Sequence, residues 1–153
     1  MKIIAILQPD DIIPALVAET KDGVLAELAG RVEERHPGLM RQELLQILQE
    51  RERLGSTGIG DGIAIPHGKL REARDLVMLF GRSRTGVDFN ALDGRPVYLF
   101  FLLVAPDDAI GIHLKMLARI SRILKDPTVR KALLEAPDAP AIHAIIREQD
   151  SRY

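Results

Sequence analysis

The most constraining feature of this sequence is the run Val97–Val104, VYLFFLLV, in which Tyr98 carries the only polar side-chain atom. A strand with one face in water alternates apolar and polar residues, whereas a near-continuous apolar run needs cover on both faces. Asp93-Gly94 is a turn signal just before it. The stretch Val97–Ala105 is far too short to cross a bilayer, so the cover must come from elsewhere in the chain. Helical spacing provides it. Val24, Leu25, Leu28 and Val32 make a stripe on a helix expected over Asp22–Arg35, with Asp22 as candidate N-cap and Pro37-Gly38 as its stop. Met40, Leu44, Ile47 and Leu48 make a second stripe over Met40–Leu54, and Arg51 continues that face up to Gly55, the expected stop. A third helix is expected over Ile112–Lys125, carrying His113, Leu117, Ile120 and Leu124 on one face, with two shorter ones over Thr128–Glu135 and Ala139–Glu148. Leu76–Phe80 reads as a strand, and so does Ile63–Ile65, because Pro66 pushes the residue before it toward extended geometry. Ile3–Leu7 and Ile12–Val17, interrupted by Pro9 and Pro14, read as a short strand and a turn or short helix. The pattern predicts an α/β fold: a single layered domain over residues 1–153, with a mixed β-sheet flanked by helices on both faces.

Composition narrows the function. A chain of 153 residues with 46% hydrophobic residues can bury a proper core as one domain. A net charge of −1 gives no electrostatic reason to expect nucleic acid. The mixed-sign runs RVEERH and QERERL read as solvated helix faces. The absence of cysteine excludes a disulfide framework, a thiolate zinc site and a cysteine nucleophile. The N-terminus lacks the longer apolar region and cleavage site of a signal peptide. A cytoplasmic protein with no membrane insertion, no metal and no cofactor is expected.

Chemistry concentrates in GSTGIGDGIAIPHGKL, from Gly55 to Leu70. A phosphate-binding P-loop would need glycine where Ile63 stands and a hydroxyl where Leu70 stands. The dinucleotide fingerprint also fails, since Gly62 follows Gly58-Ile59-Gly60 one residue too early. What remains is a loop of little bulk around one imidazole. Glycines let backbone N–H groups approach an anion, and Ser56 and Thr57 add hydroxyls. A neutral imidazole beside such donors suits phosphoryl transfer. On the residues alone, a plain Pro66-His67-Gly68 turn competes with this reading, and Arg51 could be a helix-end charge. His113 could equally be a core histidine.

RERLGSTGIGDGIAIPHGKL, GVDFNALDGRPVYLFFLLVAP and HLKMLARISRIL occur here in that order. Through them the chain resembles the type 2 (fructose/mannitol) enzyme IIA family of the bacterial phosphoenolpyruvate-dependent phosphotransferase system, and is most similar to its nitrogen-regulatory branch. The resemblance runs from Leu16 to Leu134. It implies that His67 accepts a phosphoryl group, that Arg51 supports it, and that His113 stabilises its oxygens. Ser56 and Thr57 become candidate phosphate donors. The implied phosphoryl donor is the phosphocarrier HPr or its nitrogen-branch paralogue. Onward partners would be regulatory target proteins or a separate sugar-specific IIB domain, since this chain has neither the cysteine nor the membrane segment of IIB and IIC units. The branch carries asparagine where this chain has Asp61, a carboxylate that would repel phosphate if it lay near His67. Lys69 is either a solvated charge or a partner contact, and His36 and His143 are assigned to surface or packing roles.

Overall fold

The computed structural model describes residues 1–153. Six strands, β1 (Ile12–Ile13), β2 (Gly58–Gly60), β3 (Ile63–Ala64), β4 (His67–Lys69), β5 (Val77–Val87) and β6 (Val97–Ala105), form one mixed sheet. Five helices accompany them: α1 (Lys21–Arg35), α2 (Arg41–Arg53), α3 (Ile110–Leu124), α4 (Pro127–Glu135) and α5 (Ala139–Asp150). The apolar run is β6, and it lies in the middle. On one side it pairs antiparallel with β5, and on the other it pairs parallel with both β3 and β4. β1 joins β5 in parallel and β2 joins β3 antiparallel.

The residues of β6 divide by parity. Leu99, Phe101, Leu103 and Ala105 enter a core with Met116, Ile120, Leu133 and Ile142 from α3, α4 and α5. Phe100, Leu102 and Val104 enter a second core with Leu25, Leu28, Leu44 and Leu48 from α1 and α2. Helices therefore cover both faces, as the unbroken apolar run requires. Burying each large apolar side chain is worth roughly 1.5–3 kcal/mol, so β6 and whatever pairs with it are the best-anchored parts of the molecule.

Several local expectations are corrected. The N-cap of α1 is Thr20, whose Oγ1 accepts the Gly23 N–H at 3.1 Å, and Asp22 lies in the first turn. Met40 precedes α2 as its boundary residue and is exposed, because the buried face begins only at Leu44. Ile3–Ala5 is a turn of 3-10 helix, and the short strand of this region is β1. β5 continues through GRSRTG to Val87, well past Phe80. Its glycines and charges look like loop, yet its backbone pairs with β6 through Arg82, rejoins it at Val87 after an irregular stretch, and its Arg82 is buried.

Candidate functional site

The two helical layers meet at one edge of β6. There β3 and β4 follow one another in a common register, Ile63 opposite Leu99 and His67 opposite Leu103. Pro66 between them has no N–H, and its carbonyl accepts from Leu103 at 3.0 Å. Successive strand residues face opposite ways. His67 shares its side with Ile63 and Ile65 and faces α3. Gly68 faces α2, where a Cβ would fall 2.7 Å from Ile47 Cγ2. Glycine at this position lets α2 lie directly on the strand, and Arg51, one turn beyond Ile47, reaches the strand edge.

The hydrogen bonds of His67 define its tautomer. Nδ1 lies 2.8 Å from the Ile65 carbonyl oxygen. A carbonyl only accepts, so Nδ1 carries the proton and donates it. Nε2 then holds the lone pair, and it accepts the Arg51 Nε–H at 3.3 Å. Arg51 is braced by a second bond, Nη1–H to the Gly55 carbonyl at 2.9 Å. Burial lowers the His67 pKa from its ordinary value and Arg51 pushes the same way, while the Ile65 carbonyl and Glu52 oppose them. Both bonds and the direction of the shift agree on a neutral imidazole with Nε2 free of hydrogen.

His113, on the inner face of α3, meets His67 edge to face, with ring centroids 5.4 Å apart and planes at 76°. Burial lowers its pKa, helped by His67 and Lys69. Its Nε2 is buried without a hydrogen-bond partner. A buried polar atom left unpaired costs free energy of about 1–3 kcal/mol, so this one is a place where an incoming acceptor or donor would be welcome. Exposed apolar side chains lie close by in sequence: Leu54, three residues after Arg51, at the end of α2, and Ile110 and Leu114 on either side of His113 in α3.

The structure does not bring Ser56 and Thr57 to this group as donors. The Ser56 hydroxyl donates to the Phe89 carbonyl at 2.7 Å, and the Thr57 hydroxyl donates to Glu52 Oε2. Their protons hold the glycine loop together. Glu52, part of the QERERL run that reads as a solvated face, is instead nearly buried, with 6% of its side chain exposed. No sequence signal marks it, because its partners Lys21 and Thr57 come from α1 and from the loop. Asp61 sits in the turn between β2 and β3 at φ 57°, with its N–H on Asp93 Oδ2 at 3.0 Å. Four extended residues separate that turn from His67, about 13 Å of chain, so its carboxylate lies away from the imidazole. Lys69 is exposed, His36 is exposed, and His143 packs against the N-terminal turn through Nε2 and the Leu7 carbonyl at 2.9 Å. No three His, Cys, Asp or Glu side chains are grouped to hold a metal ion, and no helix is long and apolar enough to cross a membrane.

A family model described as "Phosphoenolpyruvate-dependent sugar phosphotransferase system, EIIA 2" matches residues 5–149. The chain belongs to that family. Its α/β architecture is that of a type 2 EIIA domain: the crystal structure of the nitrogen regulatory protein IIA-Ntr from Neisseria meningitidis superposes with a TM-score of 0.88 at 33% identity, covering 93% of this chain and 97% of that one. A nitrogen regulatory protein of Bradyrhizobium diazoefficiens is 42% identical over 146 residues, 95% of each chain. The fructose-specific EIIABC component of Bacillus subtilis is 37% identical over 150 residues, which are 98% of this chain and 24% of that protein. A fructose-specific EIIA component of Haloferax volcanii is 36% identical over 135 residues, 84% of each chain, so both nitrogen-regulatory and sugar-specific EIIA proteins match over most of their length.

Proposed function

We propose that this chain is a nitrogen-type regulatory EIIA, a single cytoplasmic domain that takes a phosphoryl group on His67 from HPr or a nitrogen-branch HPr paralogue. The observation that carries the reading is the neutral His67 tautomer, with a lone pair on Nε2 beside the Arg51 guanidinium. In the transfer, the N–P bond to the donor's histidine breaks and an Nε2–P bond to His67 forms. The electron pair of the broken bond returns to the donor imidazole. No proton has to move, so the work is in-line alignment and charge stabilisation. Arg51 yields Nε2 to phosphorus and turns its N–H groups to the equatorial oxygens, for which a planar fork is suited. On this reading His113, whose ring lies 5.4 Å from that of His67 and whose Nε2 has no other partner, shares those oxygens.

The product places about two negative charges at an edge where the end of α2 exposes Leu54 and α3 exposes Ile110 and Leu114. A change of that size alters which protein surfaces can dock there, and this is how phosphorylation would switch the grip on regulatory targets. The alternative, a free-standing fructose/mannitol-type EIIA passing phosphate to a separate IIB domain, is favoured by the match to the EIIA part of a fructose component. Transfer onward to a purified IIB domain, at a rate matching its own cognate EIIA, would select that alternative.

The first test is labelling. A phosphorylated HPr-type protein should label the wild-type chain with an acid-labile, base-stable bond, and His67→Ala should take no label. Equal labelling of the variant ends the assignment.

A further inference from the structure

Glu52 directly follows Arg51, yet nothing in the transfer chemistry calls on it. Its carboxylate is nearly fully engaged. Oε1 accepts the Thr57 N–H at 3.0 Å and the Lys21 ammonium at 2.9 Å, and Oε2 accepts the Thr57 hydroxyl. The series continues beyond Thr57. The Thr57 carbonyl accepts the Ile65 N–H at 3.1 Å, and the Ile65 carbonyl accepts the His67 Nδ1–H at 2.8 Å. Lys21 is itself fixed by the Phe89 carbonyl at 3.2 Å and by the Phe89 ring at 4.6 Å. An unbroken line of bonds therefore runs from α1 through Glu52 and the glycine loop to the imidazole.

A buried carboxylate is costly unless its oxygens are satisfied, and an apolar side chain of like size would pack there at less cost. What the carboxylate supplies instead is direction. Two acceptor oxygens on one rigid group fix both the N–H and the hydroxyl of residue 57. This pins the peptide that receives Ile65 and so sets the carbonyl that holds the Nδ1 proton.

We propose that Glu52 is a positioning residue for phosphoryl acceptance, acting through Thr57 and Ile65 to hold His67 as the Nδ1–H tautomer with its Nε2 lone pair aimed outward. The inference rests on the reading of His67 as acceptor. Without the carboxylate, the Thr57 donors lose their partner and the Ile65 carbonyl is released. The Nε2–H tautomer then becomes accessible, and that form has no lone pair at the attacking atom.

The experiment uses Glu52→Gln, Thr57→Val and Thr57→Ser, with two readouts. One is the 15N signature of the His67 imidazole in the unphosphorylated protein, which reports the tautomer. The other is the rate of His67 labelling at saturating phosphorylated HPr-type protein. The wild type should be Nδ1–H. Glu52→Gln and Thr57→Val should show mixed tautomers and label up to about a hundredfold more slowly. Thr57→Ser, which keeps the hydroxyl, should restore both readouts. A folded Glu52→Gln variant with wild-type tautomer and rate overturns the inference. If that variant does not fold, a Thr57→Val variant with unchanged tautomer and rate overturns it instead. If the wild type takes no label on His67, the acceptor reading falls, and the tautomer populations alone decide the role of Glu52.

Discussion

Arg51 and Arg82 are both arginines brought against the sheet, and they are held in opposite ways. Arg82, on β5, is 1% exposed. Its Nε donates to the Pro14 carbonyl at 2.9 Å, and its Nη1 donates to the Leu133 carbonyl at 2.9 Å and the Ala136 carbonyl at 2.6 Å. No carboxylate faces it. The partial negative charge of the open carbonyls at the end of α4 answers its positive one, and burial lowers its pKa. Arg51 is half-buried and has one bond to a carbonyl and one to an imidazole lone pair. The first arginine is committed to the backbone through Nε and Nη1, with its buried Nη2 left without a partner, and it ties the segment at Pro14 and the end of α4 to the sheet. The second is braced at one point and keeps donors in reserve. A cation in a fold reads as structural when its donors end on backbone carbonyls, and as available when one of them rests on a group that chemistry can displace.

Three measurements can break or sharpen that contrast. The largest effect is expected for Arg82→Met, which leaves the carbonyls of Pro14, Leu133, Leu134 and Ala136 without the arginine that serves them. Stability should fall by about 3 kcal/mol, read as a lower urea midpoint, while the folded variant still labels on His67 at the wild-type rate. A variant as stable as the wild type would put Arg82 in the same class as Arg51. Next comes Arg51→Ala, expected to change stability by less than about 1 kcal/mol but to slow labelling on the order of a hundredfold. An unaltered rate would reduce Arg51 to a helix-end charge. The smallest effect is on pH. His67 and His113 both have folded pKa values below the ordinary value of about 6.5. The unfolded chain then binds protons more readily than the folded one. The contribution to stability is complete above about pH 6.5, declines as pH falls below it, and levels off beneath the folded values. His113→Gln should flatten part of this decline in urea titrations, whereas Arg82→Met should lower the whole curve without changing its slope. Equal slopes in all three proteins would remove the His113 imidazole from the account.

The parts legible in the sequence are those set by local pattern or by burial on two sides. The run at Val97 reads as a doubly covered strand because no other environment suits it, and the helical stripes that cover it read from spacing. The extension of β5 is hidden, since Gly81 to Gly86 has a turn's composition, and only distant pairing keeps it in the strand: Gly81 with β1 and β6, then Arg82 and Val87 with β6 on either side of an irregular stretch. Asp22 is as good a cap by type as Thr20, and only the position of the first turn decides between them. The same holds at the site. Ser56 and Thr57 have the right atoms for an anion, but Phe89 and Glu52 claim them from distant parts of the chain. Glu52 and Arg82 look like surface charges because burial of a charge depends on partners that no local window contains.

His67 stands on β4, and β4 is laid along the central strand of the sheet. An imidazole mounted there is not carried on a swinging arm. Its orientation is settled when the protein folds, by the strand beneath it and the Ile65 carbonyl beside it. On the reading proposed above, the freedom needed for a productive collision is left to the visiting phosphoryl donor.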